Sequence, residues 1–254
     1  MKARIILYAI VCIALCPFVI LSENHKLYIK QDKTNCIKET VRKHYYFYQN
    51  GIDKSDYFND IFTIYTTSQY FKMNNPVFDE IIIYDDHTGV ITYLFTDRKI
   101  YMSVNPEKEP QKRRSEKSMT ENHKFWNTGI KAKHSDWNIE VWRDIRYGTK
   151  ESKIGMIDIF SYITRELSYP KAYFNFYNAL EKTYTLNTQS STSPGIAPGP
   201  TVWSITTFYD KSMILQYIAI EELIDIQYIN SDDSLFEIPK GYREVEWNPN
   251  LFKH

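Results

Sequence analysis

The sequence predicts an α+β protein, mostly antiparallel β, in which a sheet packs on a few helices. Three observations carry this. Tyr (21) and Phe (14) are abundant while Gly (8) is scarce, a balance that suits half-buried pleated surfaces and argues against disorder. Trp137-Asn138-Ile139-Glu140-Val141-Trp142-Arg143-Asp144-Ile145 alternates apolar and polar residues, the period of a strand with one wet face. Ile81 to Tyr84 and Val90 to Phe95 flank Asp85-Asp86-His87-Thr88-Gly89, a hairpin with a glycine placed for positive φ.

Residues 1–22 read as a secretory signal peptide: Lys2 and Arg4, an apolar run from Ile5 to Leu21, then Ser22 and the polar Glu23-Asn24-His25, with cleavage expected after Ser22. The run lies at the lower edge of a membrane-spanning helix, so retention by an uncleaved signal anchor is the alternative to secretion. Leu15 before Cys16 and Pro17-Phe18-Val19 after it are wrong for a lipidation box. Residues 23–254 are expected to form one domain with no stable membrane insertion once the signal is removed.

From Thr34 to Asn50 the spacing of Ile37, Val41 and Tyr45, with Thr34 or Asn35 as N-cap and Gly51 beyond, predicts a helix. Asp60–Tyr70 and Val77–Tyr84 read as strands separated at Pro76, and the hairpin leads through Thr96-Asp97-Arg98-Lys99 to a third meander strand, Ile100–Val104. Residues 105–124 mix basic and acidic side chains around two prolines and read as an exposed loop. Within 137–145, Trp137, Ile139, Val141 and Ile145 are the inward set. Ile154–Leu167 and Lys171–Lys182 are expected as two short helices, and 187–200, Asn-Thr-Gln-Ser-Ser-Thr-Ser-Pro-Gly-Ile-Ala-Pro-Gly-Pro, as a low-complexity loop. Val202–Tyr209, Met213–Ile220 and Leu223–Ile229 form a closing antiparallel meander.

Lys plus Arg equals Asp plus Glu at 31 each, so the whole-chain field offers no general attraction to nucleic acid. With Cys12 and Cys16 in the signal, Cys36 is the sole cysteine of the mature chain. It reads as a buried small hydrophobe, with an intermolecular disulfide through Cys36 as the functional alternative. No histidine stands at i, i+4 to another, and no metal-ligand spacing, nucleophile elbow or phosphate-cradling loop occurs. Asp85-Asp86-His87 reads as turn chemistry. Glu221-Glu222 are adjacent carboxylates whose side chains a strand sends to opposite faces. No metal, cofactor or catalytic residue is assigned.

What stands out is aromatic density, in His44-Tyr45-Tyr46-Phe47-Tyr48 and Tyr173-Phe174-Asn175-Phe176-Tyr177. Such clusters either cover a sheet or line an apolar cavity. On the second reading Tyr45, Phe47, Phe95, Trp142, Phe174 and Trp203 are the candidate ligand-binding residues.

The closing stretch, Val202–Tyr209 followed by Asp233-Ser234-Leu235-Phe236-Glu237-Ile238-Pro239-Lys240-Gly241-Tyr242, resembles the ends of proteins with the outer-membrane-lipoprotein-carrier-like (LolA-like) fold. The meander Ile81–Val104 is similar to their N-terminal meander, and together these segments cover about a third of the chain. Ependymin-related proteins share that fold, but this chain lacks their paired cysteines. The resemblance implies a curved open sheet or half-barrel clasping helices, with a hollow that carries a lipid or acylated chain and no catalysis. The expected function is thus a secreted, non-enzymatic protein binding a hydrophobic small molecule or lipid. The alternatives are a secreted matrix or surface-contact protein, whose aromatic side chains would form a patch, and a hydrolase of unrecognised type, which would need a polar cluster in a cleft.

Overall fold

The computed structural model describes residues 35–49, 52–76, 79–109, 120–134, 137–150, 153–184, 199–248 and 251. Residues 1–22, read as a signal peptide, lie outside these, as do 110–119 of the first expected loop and 187–198 of the second. The strands are β1 (Cys36–Gln49), β2 (Ile52–Thr66), β3 (Tyr70–Asn75), β4 (Glu80–Asp85), β5 (Val90–Phe95), β6 (Ile100–Val104), β7 (Thr120–His134), β8 (Trp137–Gly148), β9 (Ile154–Thr164), β10 (Thr201–Asp210), β11 (Leu215–Ile229) and β12 (Arg243–Glu244). One α-helix, α1 (Lys171–Tyr184), follows β9, and Asp233–Phe236 form a 3-10 turn.

The twelve strands of the described residues join one open sheet in the order β12-β6-β5-β4-β3-β2-β1-β11-β10-β9-β8-β7. Neighbours are antiparallel except β12, which runs parallel to β6. The sheet therefore consists of two meanders, β1–β6 and β7–β11, laid side by side through the pairing of β1 with β11.

In the first meander, residues in register across the sheet share a face. Ile64, Met73, Ile82, Tyr93 and Met102 form one apolar rung across β2–β6, and Phe71, Tyr84, Ile91 and Val104 form the next. Helix α1 lies over β3 and β4 on this inner face. Its stripe of Ala172, Tyr173, Phe176 and Ala179 recurs at helical spacing, and all four are buried. Val245, Trp247 and Leu251 pack on the same core from the β6 side. On the outer face Cys36, Ile83 and Leu94 are covered by Phe236, whose ring stacks on Tyr70 at 5.1 Å. The Lys72 ammonium donates to the Leu235 carbonyl at 2.7 Å, fixing that turn in place. The C-terminal segment thus passes from one face to the other around the β6 edge.

The expected hairpin and its continuation are found as β4, β5 and β6. Asp85 organises the tip, accepting from the His87 amide at 2.9 Å and the Thr88 hydroxyl at 2.9 Å, and Gly89 takes φ +69. Of the β8 set expected to face inward, Ile139, Val141 and Ile145 are buried, but in register they share the face of Arg143, opposite to that of Trp142; the helix expected at 171–182 is α1.

Several expectations are corrected. The segment 34–50, read as a helix, contains strand β1 (Cys36–Gln49), and 154–167, the other expected helix, contains β9, so the "few helices" reduce to one α-helix among the described residues. Asn35 caps no helix; its side-chain amide donates to the Ser231 carbonyl and its oxygen accepts from the Ser231 amide, closing the end of the β1–β11 pair. The run 60–70 is broken at Thr67, whose hydroxyl accepts from the Tyr70 amide. Residues 120–124 of the first expected loop begin β7, and 213–229 holds one continuous strand rather than two.

Candidate functional site

Beyond the span of α1 the inner face continues across β1, β11, β10, β9 and β8. Tyr45 and Phe47 alternate onto it from β1, their rings stacked at 6.3 Å. Phe47 stands opposite Tyr217 on β11, and Tyr217 opposite Phe208 on β10. The centroids are 5.9 Å apart for Phe47–Tyr217 and 3.9 Å for Tyr217–Phe208, the latter pair nearly parallel. Four rings on three adjacent strands thus make a continuous ladder, with Phe47 39% exposed.

One rung nearer the helix the same face turns polar. Trp142, Ser161, Ser204, Glu221, Lys43 and Asp60 follow one another in register across six strands. Lys43 forms an ion pair with Glu221. Burial works against the lysine charge, but Glu221 and Tyr45 beside it hold its pKa above the ordinary value. Asp60 is buried on the other side of Lys43, and burial pushes its carboxyl up despite the lysine.

Two rungs from Lys43, Glu39 is 2% exposed. It stands directly between Ile64 and Ile226. The hydroxyl of Tyr169, two residues before α1, donates to its Oε1 at 2.5 Å. Oε2 accepts no hydrogen bond among the described residues. Burial pushes the carboxyl up to about 7, against the opposing effect of the Tyr169 hydroxyl.

Of the six aromatic candidates, Tyr45 and Phe47 meet in the ladder, and Trp142 lies on the same face further along, stacked on Phe125 at 5.0 Å. Trp203 points to the opposite face and packs on Tyr162 at 4.5 Å. Phe95 is 1% exposed in the core beneath α1, and Phe174 packs against that core edge-on to Tyr173 at 5.3 Å. Sequence reasoning missed Tyr217 and Phe208, the other half of the ladder. Their signal was only the alternation within β10 and β11, and it is β11 alone that reaches β1, by a non-local pairing. Glu39 was missed as well, since a charged residue in a segment read as a helix looks solvated.

Elsewhere, Asp85-Asp86-His87 acts as turn chemistry. Asp86 also accepts from Asn175 of α1 at 2.6 Å, pinning the helix to the hairpin tip. Glu221 and Glu222 point to opposite faces, toward Lys43 and Arg42 respectively. Among the described residues no group of three or more His, Cys, Asp or Glu is placed to hold a metal ion. Cys36 is 2% exposed on the outer face, and burial raises its thiol pKa. No helix among the described residues is long and apolar enough to cross a membrane.

Fold and site together define a class: an open antiparallel sheet with one helix on its inner face and an aromatic ladder beside that helix. No protein-family model and no curated protein matches the chain. Among solved structures, PNGF-II in a P21 crystal form is 10% identical, with 84% of this chain and 31% of that chain covered and a TM-score of 0.40. This chain thus spans about a third of that protein's length. A DUF1329 family protein from Desulfovibrio piger ATCC 29098 is 6% identical, with 81% and 91% covered and a TM-score of 0.32. These are weak resemblances of fold alone.

Proposed function

We propose that this protein is a non-catalytic binding protein that takes a hydrophobic ligand, such as a lipid or acyl chain, on the inner face of its sheet. The observation that supports this is the ladder Tyr45–Phe47–Tyr217–Phe208, which lies on the helix side of the sheet but away from β3 and β4, where α1 sits. A run of rings left partly open beside a packed core is a surface that an apolar chain would shield from water. The adjacent rung with Lys43 and Glu221 gives a polar end group somewhere to hydrogen-bond. In this reading residues 1–22 direct the chain into the secretory route, and the protein acts outside the cytosol.

The test is titration with a fluorescent long-chain fatty acid, alongside native mass spectrometry of protein purified from its own host. Saturable binding, weakened about tenfold or more by Phe47→Ser or Tyr217→Ser, is the expected result, each ring carrying on the order of 1.5 to 3 kcal/mol of apolar burial. Absence of both binding and co-purifying lipid overturns it.

One observation favours a second reading, that of a surface-contact protein. Edge strand β7 carries two exposed large apolar side chains, Trp126 and Ile130, and an open edge is a place where another chain can add a strand. Concentration-dependent assembly unaffected by Phe47→Ser would support this reading over the first.

A further inference from the structure

Glu39 stands where the two inner-face cores meet. Val41, next to it on the same face, and Tyr169, its hydrogen-bond donor, each pack against both cores. The groups around the carboxyl can be named element by element. From β2 and β11 it meets Ile64 and Ile226, both buried, with Tyr228 one rung along β11. From the segment before α1 comes Tyr169, and from α1 itself Tyr173 and Tyr177, whose hydroxyls its charge would disfavour ionising. Lys38 and Arg42 lie on the opposite face of β1, and the nearest cation of that strand on the same face as Glu39, Lys43, is paired with Glu221, with Asp60 beyond it. Among the described residues no cation pairs with Glu39 and its Oε2 accepts no hydrogen bond.

An ionised carboxylate in such a place is costly, whereas a neutral carboxyl accepting one hydrogen bond is tolerable. The protein can relieve the cost in one of two ways, by keeping the proton or by letting water in. The element whose removal lets water in is the one that Tyr169 ties down, because Pro170 and α1 follow it directly. We propose that Glu39 and Tyr169 form an acid-tightened latch: with Glu39 protonated the segment from Tyr169 through α1 is held on the sheet, and loss of that proton to solvent frees the segment to lift and uncover the inner face. This goes beyond the ligand-binding reading and does not depend on it, since the experiment contains no ligand.

The pH dependence follows from the two states. The docked carboxyl titrates at about 7 and a released one near its ordinary 4.5. The opening equilibrium then rises about tenfold per pH unit between those values, about 300-fold in all, and levels off above them. The test is hydrogen–deuterium exchange of the α1 amides in the full chain from pH 4.5 to 8.5, corrected for intrinsic exchange, with the carbon-13 shift of the Glu39 carboxyl followed in the same range. The expected result is a carboxyl midpoint near 7 and α1 protection that declines from pH 4.5 to 7, with protection in Glu39→Gln staying high and flat. Tyr169→Phe removes a bond that favours the ionised form, so its Glu39 midpoint moves up, which a merely structural tyrosine would not cause. A Glu39 midpoint near 4.5, or wild-type α1 protection as flat as that of Glu39→Gln, overturns the latch. Should Glu39→Gln fail to fold, the wild-type midpoint and protection curve decide alone.

Discussion

The ring of Phe176 in α1 lies parallel to that of Phe71 in β3, with centroids 3.9 Å apart and planes inclined by 13°. Both side chains are fully buried, and Tyr173, Tyr177 and Tyr84 close around them edge-on or tilted. Phe176→Ala removes the centre of this stack, leaving a void that the helix and the hydrogen-bonded sheet cannot collapse to fill. The expected cost is about 3 to 5 kcal/mol, read as a fall in the urea midpoint at unchanged slope.

Stability should decline between acid and neutral pH. Glu39 holds its proton more tightly in the folded chain, at about 7 against an ordinary 4.5, so its contribution is fully present below 4.5 and is lost as pH rises to 7. The change is about 3 kcal/mol at most. Urea unfolding at pH 5 and pH 7.5 measures it, and in Glu39→Gln this component should vanish.

On the outer face Arg143 grips Asp158 with two hydrogen bonds, Nε to Oδ1 at 2.9 Å and Nη2 to Oδ2 at 2.7 Å. The guanidinium also sits over the rings of Trp126 and Phe160. Asp158 is buried but about a third of the Arg143 side chain is open to water, so the loss on Asp158→Ala is set below that of a fully buried pair, at about 2 kcal/mol. Arg143→Lys keeps the charge but not the fork, and should cost about half as much. A double-mutant cycle in chemical denaturation checks both.

Gly148 ends β8, and a Cβ placed there would stand 1.7 Å from the Ile154 carbonyl oxygen. The opposing atom belongs to backbone, so relief requires the β8–β9 strands to move apart. Gly148→Ala is expected to lower the melting temperature by several degrees, an effect on the order of 1 to 3 kcal/mol. Calorimetry of the variant tests this.

Local features were legible because their signal is local. The Asp85–Gly89 tip needs only its own side chains, and Trp137–Ile145 shows its period in nine residues. Strand β1 misled for a definite reason: Ile37, Val41 and Tyr45 are four apart, a spacing that fits one face of a helix and equally one face of a strand. The residues between them on that face, Glu39 and Lys43, are charged, so the alternation was hidden. Strand β9 is apolar on both faces, with Ile157, Ile159 and Ile163 alternating with Met156, Phe160 and Tyr162; such a run does not distinguish buried helix from buried strand. Glu221-Glu222 looked like a break because their partners, Lys43 and Arg42, lie at the other end of the chain. The same distance hid half of the ladder.

The seam between β1 and β11 also bears on how the protein is made. Each meander can zip up from neighbours in the chain, but Cys36 meets Ile229 only after almost everything between them has been synthesised. Until then the nascent polypeptide carries a long, unsaturated ribbon border rich in Tyr and Phe, the kind of border on which copies of a growing chain cross-associate. Emergence of the β11 segment is therefore the moment at which that hazard ends.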